Sequence, residues 1–390
     1  MEKLLYRNPF LCKKDLILKG RNTVADAKLT KYADVIVNYS LDVKKGEEVL
    51  IRAETVSEEL VKEIYKQVLK KGAHPLILTS FSEQEELFYQ YAEEQQLNYK
   101  SPYLKYITKN VDAMVRILGT NNTKNLAGVD PEKIKLRSLA SREISEIIMN
   151  RAADGELKWN ICQFPTHADA QEANMSLLDY REFVYSACHL DRKDPVAYWT
   201  EFGKELDRIA SILNTKEEIH FIAEDTDIKC SIKGRTWVAD KGKENYPGGE
   251  VFTGPIEDSV NGKIRFSFPG IYSGKEIEDI RLEFKNGRVV NASAAKGESL
   301  LLSLLDTDDG SRYIGEIAVG CNSGIDKFTR NMLFDEKIGG TIHFAVGRSY
   351  PETGGENIST IHWDMLCDMK NGGEIYADDE LIYRDGKFII

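Results

Sequence analysis

Two textures of apolar spacing run along this chain, one recurring at three and four residues and one alternating at two. In residues 29–39, Tyr32, Ala33, Ile36, Val37 and Tyr39 form one helical face that closes before Lys45-Gly46. Residues 48–52 predict a short buried strand. Ser57 is placed to cap the next helix, whose apolar positions are Leu60, Val61, Ile64, Val68 and Leu69, and Lys71-Gly72 ends it. Residues 74–78 predict a strand, residues 83–95 a helix behind Ser82, and residues 112–117 a third strand. A helix follows over 131–154 and a strand over 159–163, stopped by Pro165. The long helical stretch 179–213 is interrupted at Asp194-Pro195. Strand, helix and strand in units of this size imply a parallel sheet covered by helices.

Beyond Asn214-Thr215 the texture changes. Residues 218–223, 227–232, 262–268 and 280–284 alternate apolar and polar, and Asn286-Gly287 ahead of Val289-Val290 is a hairpin turn. One helix is expected near 298–305. The expected fold class is α/β: a parallel-sheet domain over residues 1–214, then a largely antiparallel β (α+β) domain over 215–390. A length of 390 residues agrees with two domains.

Composition narrows the partners. A net charge of -11 argues against nucleic acid or an anionic membrane surface. Cys12, Cys162, Cys188, Cys230, Cys321 and Cys367 are scattered and form no C-x-x-C pair, so a reducing cytoplasm is expected rather than a disulfide framework. Residues 1–7 lack a continuous apolar core or a cleavage pattern, and no apolar run is long enough to span a bilayer.

The chemistry concentrates in the last third. His362 and Asp364 are two apart, so on an extended strand both point the same way and reach one metal; the alternative is a pair facing solvent or each other. His343, between Ile342 and Phe344, would sit on the face opposite those apolar neighbours, as a ligand or as a structural histidine. Glu316 lies in an apolar run and needs a partner, either a metal or a cation such as Arg312 or Lys337. Glu250 follows Pro247-Gly248-Gly249 and could be a turn carboxylate, and Tyr350 alone is an ordinary phenol. Read together, two Glu, two His, an Asp and a Tyr suit two divalent ions (Zn, Co, Mn or Mg) bridged by a carboxylate.

Four stretches carry a resemblance. They are Asn245-Tyr246-Pro247-Gly248-Gly249-Glu250-Val251-Phe252, Gly315-Glu316-Ile317-Ala318-Val319-Gly320, Asp335-Glu336-Lys337-Ile338-Gly339-Gly340-Thr341-Ile342-His343 with Ser349-Tyr350-Pro351, and Ser359-Thr360-Ile361-His362-Trp363-Asp364. From about residue 30 onward, and most densely after 220, the chain resembles the aminopeptidase T and aminopeptidase S type of metallopeptidase, the thermophilic metalloprotease family. The resemblance implies that Glu250, Glu316, His343, Tyr350, His362 and Asp364 are the metal-site positions. It further implies Glu316 as general base, Tyr350 as a phenol serving catalysis, and a homodimer enclosing a cavity for short peptides. The segment between residues 350 and 362 is short, since some members carry an insertion there. The expected activity is removal of the N-terminal residue of short peptides by water activated at a dinuclear metal centre.

Two other readings stay open. His343, His362 and Asp364 alone would satisfy a mononuclear iron, ring-cleaving dioxygenase of the same fold. A non-catalytic peptide- or metal-binding protein is the other. Residues 1–214 contain no Walker loop, G-x-S-x-G elbow or G-x-G-x-x-G fingerprint, and are read as a scaffold for dimerisation and for covering the site.

Overall fold

The computed structural model describes residues 26–272 and 274–390. Cys12 and the leader reading of residues 1–7 lie outside the described residues. Strands Glu48–Glu54, His74–Ser80, Ala113–Leu118 and Lys158–Gln163 run parallel, with His74–Ser80 at one edge. Alternation along Glu48–Glu54 explains the layers. Val49 and Ile51 enter a core with Tyr32, Ile64, Val184 and Trp199, whereas Leu50 enters a smaller one with Ile107, Val111 and Met114. Helices therefore cover both faces, as a parallel sheet requires.

Local differences from the expected elements have local causes. The helix expected over 83–95 is two, Gln84–Tyr91 and Glu94–Leu97, because Ala92 turns extended and Glu93 with Gln96 forms a capping box. The 179–213 stretch is Leu177–Ala187 and Pro195–Leu213, the second started by Asp194, which accepts a hydrogen bond from the Ala197 amide at 2.9 Å. Ser57 stands at its expected cap position, but its hydroxyl makes no capping bond. Ser82 lies one residue before the cap position, which Glu83 occupies. Helix Pro102–Asn110, opened by Ser101 and a first-turn proline, has no counterpart in the sequence reading.

Among the described residues, two large antiparallel sheets follow, with a two-stranded ribbon of Gly270–Tyr272 and Lys275–Ile277. One has eight strands and includes the hairpin at Asn286-Gly287, where both residues take positive φ (49° and 78°). The other has five: Val238–Asp240, Glu250–Thr253, Ile314–Gly320, Thr341–Gly347 and His362–Asp368, each antiparallel to its neighbours. They share one core, in which the Phe221 and Phe344 rings lie 5.1 Å apart. Near residue 214 the chain does not separate cleanly. Strand Asn245–Tyr246 returns to complete the parallel sheet, and Pro195–Leu213 gives Trp199 to the first core but Leu206 and Ile209 to the second.

Candidate metal centre

The five-stranded sheet has an apolar side and an ionisable side. Ile317, Val319, Ile342, Phe344, Val346, Trp363 and Met365 enter the shared core. Their alternate neighbours Glu316, His343, His362 and Asp364 therefore occupy the other face. Strand register then fixes their spacing. Glu316 is opposite Ala345, which is opposite Asp364; Ala318 is opposite His343, and Gly320 opposite Glu250. Small residues thus separate the ionisable ones across the sheet and leave room above it.

Glu250 reaches that face through its turn. Gly249 has φ 120°, and a Cβ there would lie 2.6 Å from the Asn322 Cβ, so only glycine fits. Glu250 itself is buried and opens a strand, so it is not a turn carboxylate.

The side chains converge. His343 Nε2 lies 3.6 Å from Glu250 Oε2 and 3.6 Å from Glu316 Oε1. His362 Nε2 lies 3.1 Å from Glu316 Oε2 and 3.5 Å from Asp364 Oδ1. Each imidazole turns Nδ1 to a backbone carbonyl, Glu336 at 3.0 Å for His343 and Arg348 at 2.7 Å for His362. Donation from Nδ1 fixes the tautomer that presents Nε2 to a metal.

Electrostatics supports a cation. Burial pushes the Glu250 carboxyl up to about 8 despite Lys337. Burial also opposes ionisation of Glu316, but hydrogen bonds from His343 and His362 outweigh it and hold its pKa below the ordinary value. Burial lowers the two histidines, yet their carboxylate partners raise His343 to about 10 and His362 to about 11. Among the described residues, Glu250 Oε2 and Asp364 Oδ1 are buried without hydrogen-bond partners. Such oxygens are costly to bury unless a cation meets them. Glu316, His362 and Asp364 offer three ligand atoms within 4.8 Å of one another, a donor set that fits a divalent ion.

The thermophilic metalloprotease (M29) family pattern matches residues 25–388. The chain belongs to that family. Among relatives of this M29 metalloprotease, aminopeptidase AmpS of Bacillus subtilis is 28% identical, covering 93% of this chain and 98% of its own. Aminopeptidase T of Thermus thermophilus is 27% identical, covering 92% and 95%. The solved structure of wild-type AmpT from Thermus thermophilus superposes with a TM-score of 0.81 at 24% identity, covering 93% of this chain and 99% of that one. The likeness shows a common α/β fold, and the resemblance read from the four sequence stretches is borne out.

Within this M29 metalloprotease, the cationic partners considered for Glu316 go elsewhere. Arg312 pairs with Asp306, and Lys337 with Asp240, Glu250 and Glu336. Tyr350 stands at the rim, its ring centre 4.9 Å from that of His362 and 5.7 Å from that of Phe252. Burial and then Glu316 and Asp364 hold its phenol protonated, hence a donor. Sequence reasoning passed over two residues of the cluster, Asp240 and Glu336, and considered Lys337 only as a partner for Glu316. Asp240 pairs in register with Glu250, and Glu336-Lys337 stands a few residues before His343. A charged doublet so close to a candidate ligand strand was the available signal.

Proposed function

We propose that this metalloprotease is a metal-dependent aminopeptidase that removes the N-terminal residue of short peptides with two divalent ions. Glu250, Glu316, His343, His362 and Asp364 would hold them, with Tyr350 alongside. The observation that carries this reading is a charge count. Asp240, Glu250, Glu316, Glu336 and Asp364 supply five carboxylates and Lys337 one ammonium. With every carboxyl ionised, as bound cations would require, the remaining four negative charges match two divalent cations once the imidazoles are neutral. The relatives' names, aminopeptidase AmpS and aminopeptidase T, support the exopeptidase assignment.

When bound, such ions supply Lewis-acid polarisation and make water acidic enough to attack near neutral pH. Glu316 touches both imidazoles with different oxygens, which puts one carboxylate at the centre of the cluster. It accepts the proton of the attacking water and delivers it to the amine as the carbon–nitrogen bond breaks. The protonated Tyr350 donates a hydrogen bond to the oxygen that becomes anionic. A spare carboxylate oxygen in the cluster pairs with the substrate's α-ammonium and restricts cleavage to the first residue.

The test is turnover of an amino-acid p-nitroanilide panel by the purified full chain, before and after chelation and re-addition of Zn, Co, Mn or Mg. Absence of turnover with every metal would sink the proposal, and one bound iron per chain would favour the ring-cleaving alternative. The reading includes a homodimer covered by residues 1–214, testable by light scattering against a chain mass of 44.2 kDa. It also includes a cytoplasmic location, testable by cell fractionation.

A further inference from the structure

Lys337 is wholly buried, and no step assigned above uses it. Its ammonium lies 3.4 Å from Glu250 Oε1 and 3.5 Å from Asp240 Oδ2, and it contacts Glu336. The other Glu250 oxygen, Oε2, faces His343 and has no hydrogen-bond partner. The ammonium therefore decides which Glu250 oxygen is free. The preceding residue works on the same half of the cluster, since the Glu336 carbonyl accepts from His343 Nδ1.

The backbone behind Lys337 is fixed as well. Its amide donates to the Phe334 carbonyl and its carbonyl accepts from Asn322, both at 3.0 Å. Gly320 lets this segment lie on the sheet, because a Cβ there would come within 2.3 Å of the Ile338 oxygen. The other half of the cluster is built differently: Asp364 Oδ1 faces His362.

We infer that Lys337 is a positioning residue of the metal centre, clamping Glu250 through Oε1 so that Oε2 is presented beside His343 to one of the two ions. The inference rests on the dinuclear reading above. It makes the two halves unequal, with Glu250 and His343 depending on the clamp and His362 and Asp364 independent of it. Simple electrostatics points the opposite way, because removing a positive charge beside a cation site would tighten binding. The sign of the effect separates a clamp from a counter-charge.

The experiment is Co2+ titration of the chelator-treated full chain, followed by visible absorption, which reports ligand geometry as well as stoichiometry. Wild type takes up two Co2+. In Lys337→Met one of them binds about 10–100-fold more weakly with an altered spectrum, the cost typical of losing a residue that orients a ligand, and the other is unchanged. Glu250→Gln shows the same loss, and combining the two adds little, because both act through one carboxylate. Lys337→Met with Asp240→Asn keeps the cluster's net charge and shows the same weakening; it also serves if the single variant does not fold. Unchanged or tighter binding in these lysine variants overturns the clamp. A wild type that binds a single Co2+ refutes the two-ion reading instead. The clamp is then judged on that ion: weakening in both Lys337→Met and Glu250→Gln supports it, and no change rejects it.

Discussion

Two histidine–aspartate pairs occupy the antiparallel half of this protein, and they differ in nearly everything except residue type. His220 and Asp227 lie on the outer face of the eight-stranded sheet, 2.7 Å apart, with side chains 34% and 70% exposed. They border an open groove of about 720 Å³ lined also by Lys229, Lys263 and Glu283. His362 and Asp364 are farther apart, at 3.5 Å, but only 22% and 12% exposed. The outer pair has the shorter contact and the roomier surroundings, yet water and nearby charges of both signs screen it. The inner pair adjoins a largely buried cluster of ionisable side chains, where each unpaired oxygen is costly. Neither contact length nor cavity size identifies chemistry here; desolvation in acidic company does.

The sharpest way to break this contrast is by substitution. Glu316→Gln is expected to lower kcat/KM by about 10²–10⁴-fold, the usual contribution of a general base, while Asp227→Asn stays within twofold of wild type. The check is turnover of Leu-p-nitroanilide with added Co2+ or Zn2+; comparable losses in both variants would erase the distinction. Metal removal comes next. Free Co2+ at about 100 times Kd should stabilise the chain by about 2.7 kcal/mol per bound ion, read as a rise in Tm. That rise shrinks by about one ion's share in Asp364→Asn and survives in full in Asp227→Asn.

Acidity separates the two pairs further. His343 at about 10 and His362 at about 11 stand above their ordinary 6.5, because carboxylate partners outweigh burial. Their ion pairs therefore stabilise the chelated chain fully below about pH 6.5, and that contribution is lost as pH rises towards 10. A cation displaces those protons, so the metal-induced rise in Tm runs the other way and grows between pH 6.5 and 9. Thermal melts with and without Co2+ across that range would show it. A metal increment that ignores pH would contradict the arrangement. The smallest effect lies far from either pair. Asp194→Ala removes the cap of Pro195–Leu213 and should cost about 1 kcal/mol in urea unfolding with activity intact.

Much of this architecture could be read from spacing alone. The four long parallel strands, the Asn286-Gly287 turn and helix Glu298–Leu305 follow from apolar periodicity and turn chemistry that act locally. Glu250, Glu316, His343, His362 and Asp364 stood out because charge inside apolar or glycine-rich text demands a partner, and the sheet brings all five together. Asp240 and Glu336 were not legible as site residues, and Lys337 only as a possible partner for Glu316, since charged side chains in a short segment usually face water. Only strand register and the approach allowed by Gly320 bury them. Helix Pro102–Asn110 escaped because Tyr103 and Tyr106 are exposed, leaving too few inward positions to mark a face. The return of Asn245–Tyr246 to the parallel sheet is a long-range pairing that a two-residue strand cannot announce.

The order in which the strands arrive has a consequence for how the enzyme is made. The neighbours that bring Glu250, Glu316, His343 and Asp364 together are far apart in sequence, and the strand beginning at His362 is translated last of the five. While this strand is unpaired, the acids on its neighbours have no completed cage around them. The metal-binding face is thus complete only once non-local strand pairing has closed the sheet, a step that local contacts cannot hasten.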